Sequence, residues 1–258
     1  MTPALFLAEG QAFVPTDASR GPWSPKALHG GPVAALVARA VEAACPEGME
    51  VARLTLELMR PVPLRPLSVS AALVRPGRKV GLVEAGLAAG GQQVAAARAL
   101  LVRRQRLPVP GPPPAPGPPG PEQAPRAPVP APGSWTGFHN YGAELAFVDG
   151  AFGAPGPATA WIRLRAQVVA GEAPSPLQRA AAAADFANGV GSSLPFESFS
   201  FINPDLTVHL ERYPEGEWVG LEASMRCGPV GRGLARGELW DRHGPLGCAH
   251  QAVLVEPR

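Results

Sequence analysis

Two stretches of this 258-residue chain, "ARLTLELMRPVP" from Ala52 and "PDLTVHLERYPE" from Pro204, are about 150 residues apart and follow one pattern. In the first, Leu54, Leu56 and Leu58 alternate with Thr55, Glu57 and Met59, the two-residue period of a strand with one buried face. The second copy carries His209 where the first has Glu57. A chain that writes one strand twice is constrained to a duplicated architecture, and a second feature shows where the copies divide. Between Pro108 and Pro132 lie 13 of the 33 prolines, 12 of them in the run "PVPGPPPAPGPPGPEQAPRAPVP", with few residues able to pack or to donate ladder bonds. It reads as a polyproline II linker over 105–133, leaving halves at 1–104 and 134–258. Docking of this run to a proline-recognising domain is the less economical alternative to a spacer.

Each half repeats an order of elements. In the first, the loop "RGPWSPKALHGG" leads into "PVAALVARAVEAA", apolar at helical spacing, with Pro32 in its first turn and a stop near Pro46. Strands follow in "VARLTLELMRPV", "LSVSAALVRPG" and "VGLVEAGLAAGGQQVAAARALLVRRQ", the last split by Gly90-Gly91 into a hairpin. In the second, "AELAFVDG" and "TAWIRLRAQV" supply strands before the helix "SPLQRAAAAADFANGVG". "PDLTVHLERYP", "GEWVGLEASMRCG" and a hairpin turning near Arg242-His243-Gly244 complete that half. A helix this apolar needs cover on most sides, so the fold class is α+β, a curved antiparallel sheet wrapped around a central helix in each half.

Composition excludes several functions. The formal net charge is +2, the only lysines are Lys26 and Lys79, and the arginines are scattered, so there is no basic stripe for nucleic acid. Three cysteines, Cys45, Cys227 and Cys248, without C-x-x-C spacing argue against a disulfide framework and a structural zinc site. No two histidines have metal-ligand spacing on a helix, and no G-x-S-x-G elbow is present. "MTPALFLAEG" lacks the basic start of a signal peptide, and Arg39, Glu84 and Asp185 interrupt the most apolar stretches. The expectation is a soluble cytoplasmic chain with neither metal nor cofactor, no membrane span and no nucleic-acid partner. Exposed sheet edges leave a homo-oligomer open.

The ordered set "HGG", "ADFA", "DLTVHLER", "EWVGLE", "RGLARGELWD" and "AHQAVLV" resembles the double hotdog acyl-CoA thioesterases, the group that includes acyl-CoA thioesterase II. The likeness covers nearly everything outside the linker. It implies two tandem hotdog repeats, an acyl-CoA substrate, a place in fatty acid metabolism, and hydrolysis by water that an Asp, a hydroxyl residue and a Gln of the second repeat hold. Carried over residue by residue, the Asp is Asp185 and the Gln is Gln251. The hydroxyl position falls on Asn203, while Thr207 lies two residues beyond Asp205 and serves only if it faces the helix.

The residue types fit that chemistry. Asp185 is the only acid in "RAAAAADFANGVG", where burial penalises its charge unless donors surround it. Such a carboxylate with one ordered water is a general base for attack on a thioester. Gln251 offers that water a donor and an acceptor. Gly30 and Gly31 let a substrate approach the start of the first helix, whose amides favour an oxyanion, and His29 beside them is a substrate-binding candidate. Plainer readings exist: an exposed Asp at a helix end, an outward Gln, a tight loop-to-helix turn and a solvated loop His.

Two other functions remain open. An acyl-CoA hydratase or dehydratase needs an Asp and a His over the acyl chain, and no His follows Asp185 closely. A non-catalytic acyl-binding protein would explain the missing hydroxyl. Superposing the halves sets Asp185 opposite Val33 or an apolar neighbour, and Gln251 opposite Arg98 or Ala99. One active site per chain follows, built by the second half and roofed by the first.

Overall fold

The computed structural model of the chain describes residues 3–108, 117–125 and 135–258. A hairpin of β1 (Ala4–Glu9) and β2 (Ala12–Pro15) precedes the first helix, α1 (Gly30–Ala43). Then come β3 (Met49–Leu58), β4 (Leu67–Arg75), β5 (Val80–Ala89) and β6 (Gln92–Arg103). The second half opens with β7 (Ala143–Asp149), β8 (Ala158–Leu164) and the short β9 (Gln167–Val169). Two helical pieces follow, α2 (Pro176–Ala184) and α3 (Ala187–Val190), and then β10 (Phe199–Ile202) and β11 (Asp205–Leu210). Strands β12 (Trp218–Cys227), β13 (Arg232–Asp241) and β14 (Gly244–Pro257) close the chain.

These elements make the double hotdog that the motifs imply. The sheet runs β7-β8-β12-β13-β14-β11-β3-β6-β5-β4-β2-β1-β9, with β10 beside the far part of β14. It continues from one half into the other because β11 pairs antiparallel with β3, Thr207 opposite Thr55 and Leu206 opposite Leu56. The repeated strand is therefore where the copies join. Only residues 165–166 separate β8, near one end of the sheet, from β9 at the other, so the sheet curls almost closed around the helices. Gly90 and Gly91, at φ 57° and 78°, make the tight β5–β6 turn that the sequence predicts.

Small side chains let the two helices lie against each other inside this wrap. A Cβ on Gly31 of α1 would sit 2.9 Å from the Ala182 carbonyl of α2. All five alanines of 180–184 are buried, so the alanine run fits helix to helix and helix to sheet at close range. Arg39 of α1 reaches Glu172 ahead of α2 with two hydrogen bonds, and Glu42 accepts from Ser175 and Gln178.

Part of the proline-rich run has a packing role that its composition did not suggest. Pro121 and Ala124 are buried, and Ala124 clusters with Ala146 and Trp161 beside Val148, Trp218 and Trp240. The Trp161 indole donates to the Pro119 carbonyl at 2.7 Å, and Arg242 pairs with Glu122. Residues 117–125 thus form a strap on the outer face of the second half's sheet.

Candidate active site

The second helix does not run through to its glycine as the sequence pattern predicts. It breaks at Asp185-Phe186, where the Phe186 N–H bonds back three residues to Ala183 instead of four. Gln251 of β14 fills the gap. Its Oε1 accepts from the Asn188 N–H at 3.0 Å and its Nε2 donates to the Asp185 carbonyl at 3.2 Å, so the side-chain amide stands in for the missing ladder. Gln251 has no exposed surface. Both ends of its amide are engaged in splicing the helix, and Gln251 lies behind Asp185 and is not among the residues that line the cavity.

The break turns the Asp185 side chain toward the start of α1. Asn203, just ahead of β11, donates from Nδ2 to Asp185 Oδ1 at 2.9 Å, and Gln251 Nε2 lies 3.4 Å from the same oxygen. Asn203 is itself oriented by Asn188, whose Nδ2 donates to the Asn203 Oδ1 at 3.4 Å. His29 Nδ1 lies 2.8 Å from Asp185 Oδ2 and also 3.0 Å from the Gly31 N–H. One nitrogen cannot donate to the first and accept from the second at once. Beside a buried carboxylate the proton belongs on Nδ1, which then donates to Oδ2.

Gly30 completes the seat. A Cβ there would lie 2.5 Å from Asp185 Oδ1 and 2.7 Å from Oδ2, so the carboxylate rests directly on the first residue of α1. The unpaired amides and positive dipole end of that helix stabilise negative charge in this place. Oδ1 thus has two donors and Oδ2 one, which leaves an Oδ2 lone pair for a water.

Asp185, Asn203, His29 and Gly30 all line one cavity of about 430 Å³. Its walls are otherwise mostly apolar, among them Trp23, Leu28, Phe152, Phe186 and Phe201. Both halves build it, since the loop before α1 and residues 58–62 come from the first. Gly31 is packed beneath, its Cβ position 2.7 Å from the Phe138 ring, and does not line the cavity. Thr207 is a correction. It points to the outer face with Asp205 and His209, while Leu206, Val208 and Leu210 turn inward, and its hydroxyl donates to Thr55 at 3.3 Å. The outward phase of β11 removes it from the site, and Glu57 and His209 are exposed.

Two cavity residues escaped the sequence reading. Asn188 had a legible signal, three residues after Asp185 on the same helical face. His139 is 2 % exposed in a single π-turn at Phe138–Gly142, and neither ring nitrogen has a hydrogen-bond partner among the described residues. Burial, with the neighbouring His29 as a lesser cause, lowers its pKa to about 4. The turn is held by the Phe138 N–H on the Arg20 carbonyl and by stacking of Phe138 on Phe186. Among the described residues no group of His, Cys, Asp or Glu could hold a metal, and no helix is long and apolar enough to cross a membrane.

The paired hotdog sheet defines the fold class of the protein. The chain belongs to the acyl-CoA thioesterase family: residues 19–103 match the model of the acyl-CoA thioesterase N-terminal domain and residues 121–255 that of the C-terminal domain. Solved structures share the fold. A hot dog protein of unknown function from Alicyclobacillus acidocaldarius superposes with a TM-score of 0.74 at 20% identity, over 97% of this chain and 95% of its own. The tesB protein MAP1729c of Mycobacterium avium subs paratuberculosis gives 0.66 at 16% identity, over 98% and 96%. The acyl-CoA thioesterase II TesB2 of Mycobacterium marinum gives 0.66 at 15%, over 90% of each chain. No curated protein matches the sequence significantly.

Proposed function

We propose that the chain hydrolyses an acyl-CoA thioester to the free acid and CoA by direct attack of water. The observation that carries this reading is the open lone pair of Asp185 Oδ2 at the wall of a mostly apolar cavity. Water bound there gives a proton to the carboxylate as its oxygen bonds to the thioester carbon. The carbonyl oxygen takes up negative charge facing the first amides of α1 at Gly30. The carbon–sulfur bond then breaks, and the proton passes from Asp185 to the departing thiolate. Asn203 and Gln251 act by fixing Asp185. His29 holds the other oxygen and, as the first half's contribution, makes that half the roof of a site centred on the second.

A hydratase reading draws support from one contact. The His that such chemistry requires is absent after Asp185 in sequence, yet His29 is brought to 2.8 Å from it. Hydrolysis and hydration separate in one assay: a panel of saturated and 2-enoyl acyl-CoAs, with free thiol and enoyl absorbance followed together, for the wild type and Asp185→Asn. Thiol release that depends on Asp185 supports hydrolysis. Loss of enoyl absorbance without thiol release would replace it with hydration, and tight binding without either would leave an acyl-binding protein.

A further inference from the structure

His139 is not used by the mechanism above, and its state is costly. An imidazole buried with both nitrogens unpaired forfeits about 1–3 kcal/mol for each unsatisfied group unless something in the cavity pairs with it. The ring lines the same cavity as His29 and Asp185. Its Cε1–Nδ1 edge lies over Gly137, whose Cβ position would be 3.1 Å and 3.3 Å from those atoms, so Nε2 is the nitrogen not set against that backbone. The single π-turn that carries it is a backbone form found disproportionately at functional sites.

Resting on the hydrolytic reading, we propose that His139 is a further catalytic residue whose Nε2–H donates to the thioester carbonyl oxygen, as a side-chain partner to the helix amides at Gly30. Three observations converge on that oxygen. The cavity is largely apolar, so a buried polar group in it faces substrate. His139 is next to His29, which touches Asp185, so the substrate atoms within its reach are those near the attacked carbon. The thioester oxygen only accepts hydrogen bonds, and a neutral imidazole supplies one fixed donor. Burial keeps the ring neutral at ordinary pH, so its donor strength does not vary there.

The test uses a ketone analogue of the substrate, in which a methylene replaces the thioester sulfur, carrying a ¹³C-labelled carbonyl. Infrared difference spectra of the bound analogue should show the carbonyl stretch moved to lower frequency in the wild type and returned toward its solution value in His139→Phe. His139→Gln, which retains a donor, should recover part of the shift. Turnover in His139→Phe should fall by a factor on the order of 10² to 10³ in kcat with KM little changed, as for loss of one oxyanion donor. An unshifted carbonyl in the wild type, or equal shifts in wild type and His139→Phe, would overturn the proposal, as would a loss confined to KM. If His139→Phe does not fold, the wild-type spectrum and His139→Gln decide. A shifted carbonyl without CoA release from any acyl-CoA would sustain this contact and refute the hydrolytic reading.

Discussion

Removing the Gln251 amide while keeping its bulk, as in Gln251→Met, should destabilise the fold more than it alters any bound water. The side chain satisfies the Asn188 N–H and the Asp185 carbonyl, both inside the helix break, and it has no exposed surface through which water could replace it. Two buried backbone groups left unpaired cost about 1–3 kcal/mol each, so a loss of about 2–6 kcal/mol is expected. Gln251→Ala adds a cavity and should lose more. Urea unfolding followed by tryptophan fluorescence measures this directly, as a lower midpoint at unchanged slope. A midpoint within about 0.5 kcal/mol of wild type, the range of inconsequential surface changes, would show that the amide does not hold the helix and would restore it to the role of water ligand. Turnover of the folded fraction should also fall, because Asp185 loses a donor on Oδ1.

Asp185→Asn should fold and lose a factor on the order of 10² to 10⁴ in turnover, read as thiol release; wild-type rates would remove it as the base. Gly30→Ala puts a methyl 2.5 Å from Asp185 Oδ1, so the carboxylate must swing away from its donors, and activity should fall while circular dichroism is retained. His139 has a pKa of about 4 in the fold against an ordinary 6.5, so the stability linked to its neutral state is complete above pH 6.5 and declines as pH falls through 4. That amounts to about 3 kcal/mol between pH 7 and well below 4, and comparing urea midpoints of wild type and His139→Phe across this range isolates it; parallel losses would contradict it. Titration with a non-hydrolysable acyl-CoA analogue should saturate at one per chain, and two equivalent sites would contradict a single carboxylate.

The sequence made the architecture legible because its signals are local and repeated. Alternation fixed β3, paired glycines fixed the β5–β6 turn, and the lone acid in an alanine helix marked Asp185. The same alternation, applied to β11, would have excluded Thr207, since it shares a face with Asp205 and His209. The remainder depends on contacts between distant segments. That His29 meets Asp185 requires the N-terminus of α1 to abut the break in the second helix, 156 positions later, and no periodicity reports this. The break itself was hidden because Asp185 and Phe186 keep helical backbone angles, and the interruption lies in the hydrogen bonds alone, where the Gln251 amide from β14 takes over part of the ladder. His139 was hidden because a π-turn and its docking on Arg20 are set by tertiary contacts.

The register of β3 against β11 sets Thr55 opposite Thr207, each the counterpart of the other in its own copy of the strand. A pseudo-dyad therefore passes through that pair of threonines. Thr55 faces Arg98 on one side of it and Thr207 faces His250 on the other, so Ala99 is the image of Gln251. Two separate identical subunits about a true dyad would have to carry the same residue at both places. A covalently fused pair is released from that requirement: a fully buried alanine occupies one image while the glutamine splices a helix at the other. The inherited geometry is symmetric and the chemistry is not, so each half can specialise, one offering a helix N-terminus and a histidine, the other a carboxylate.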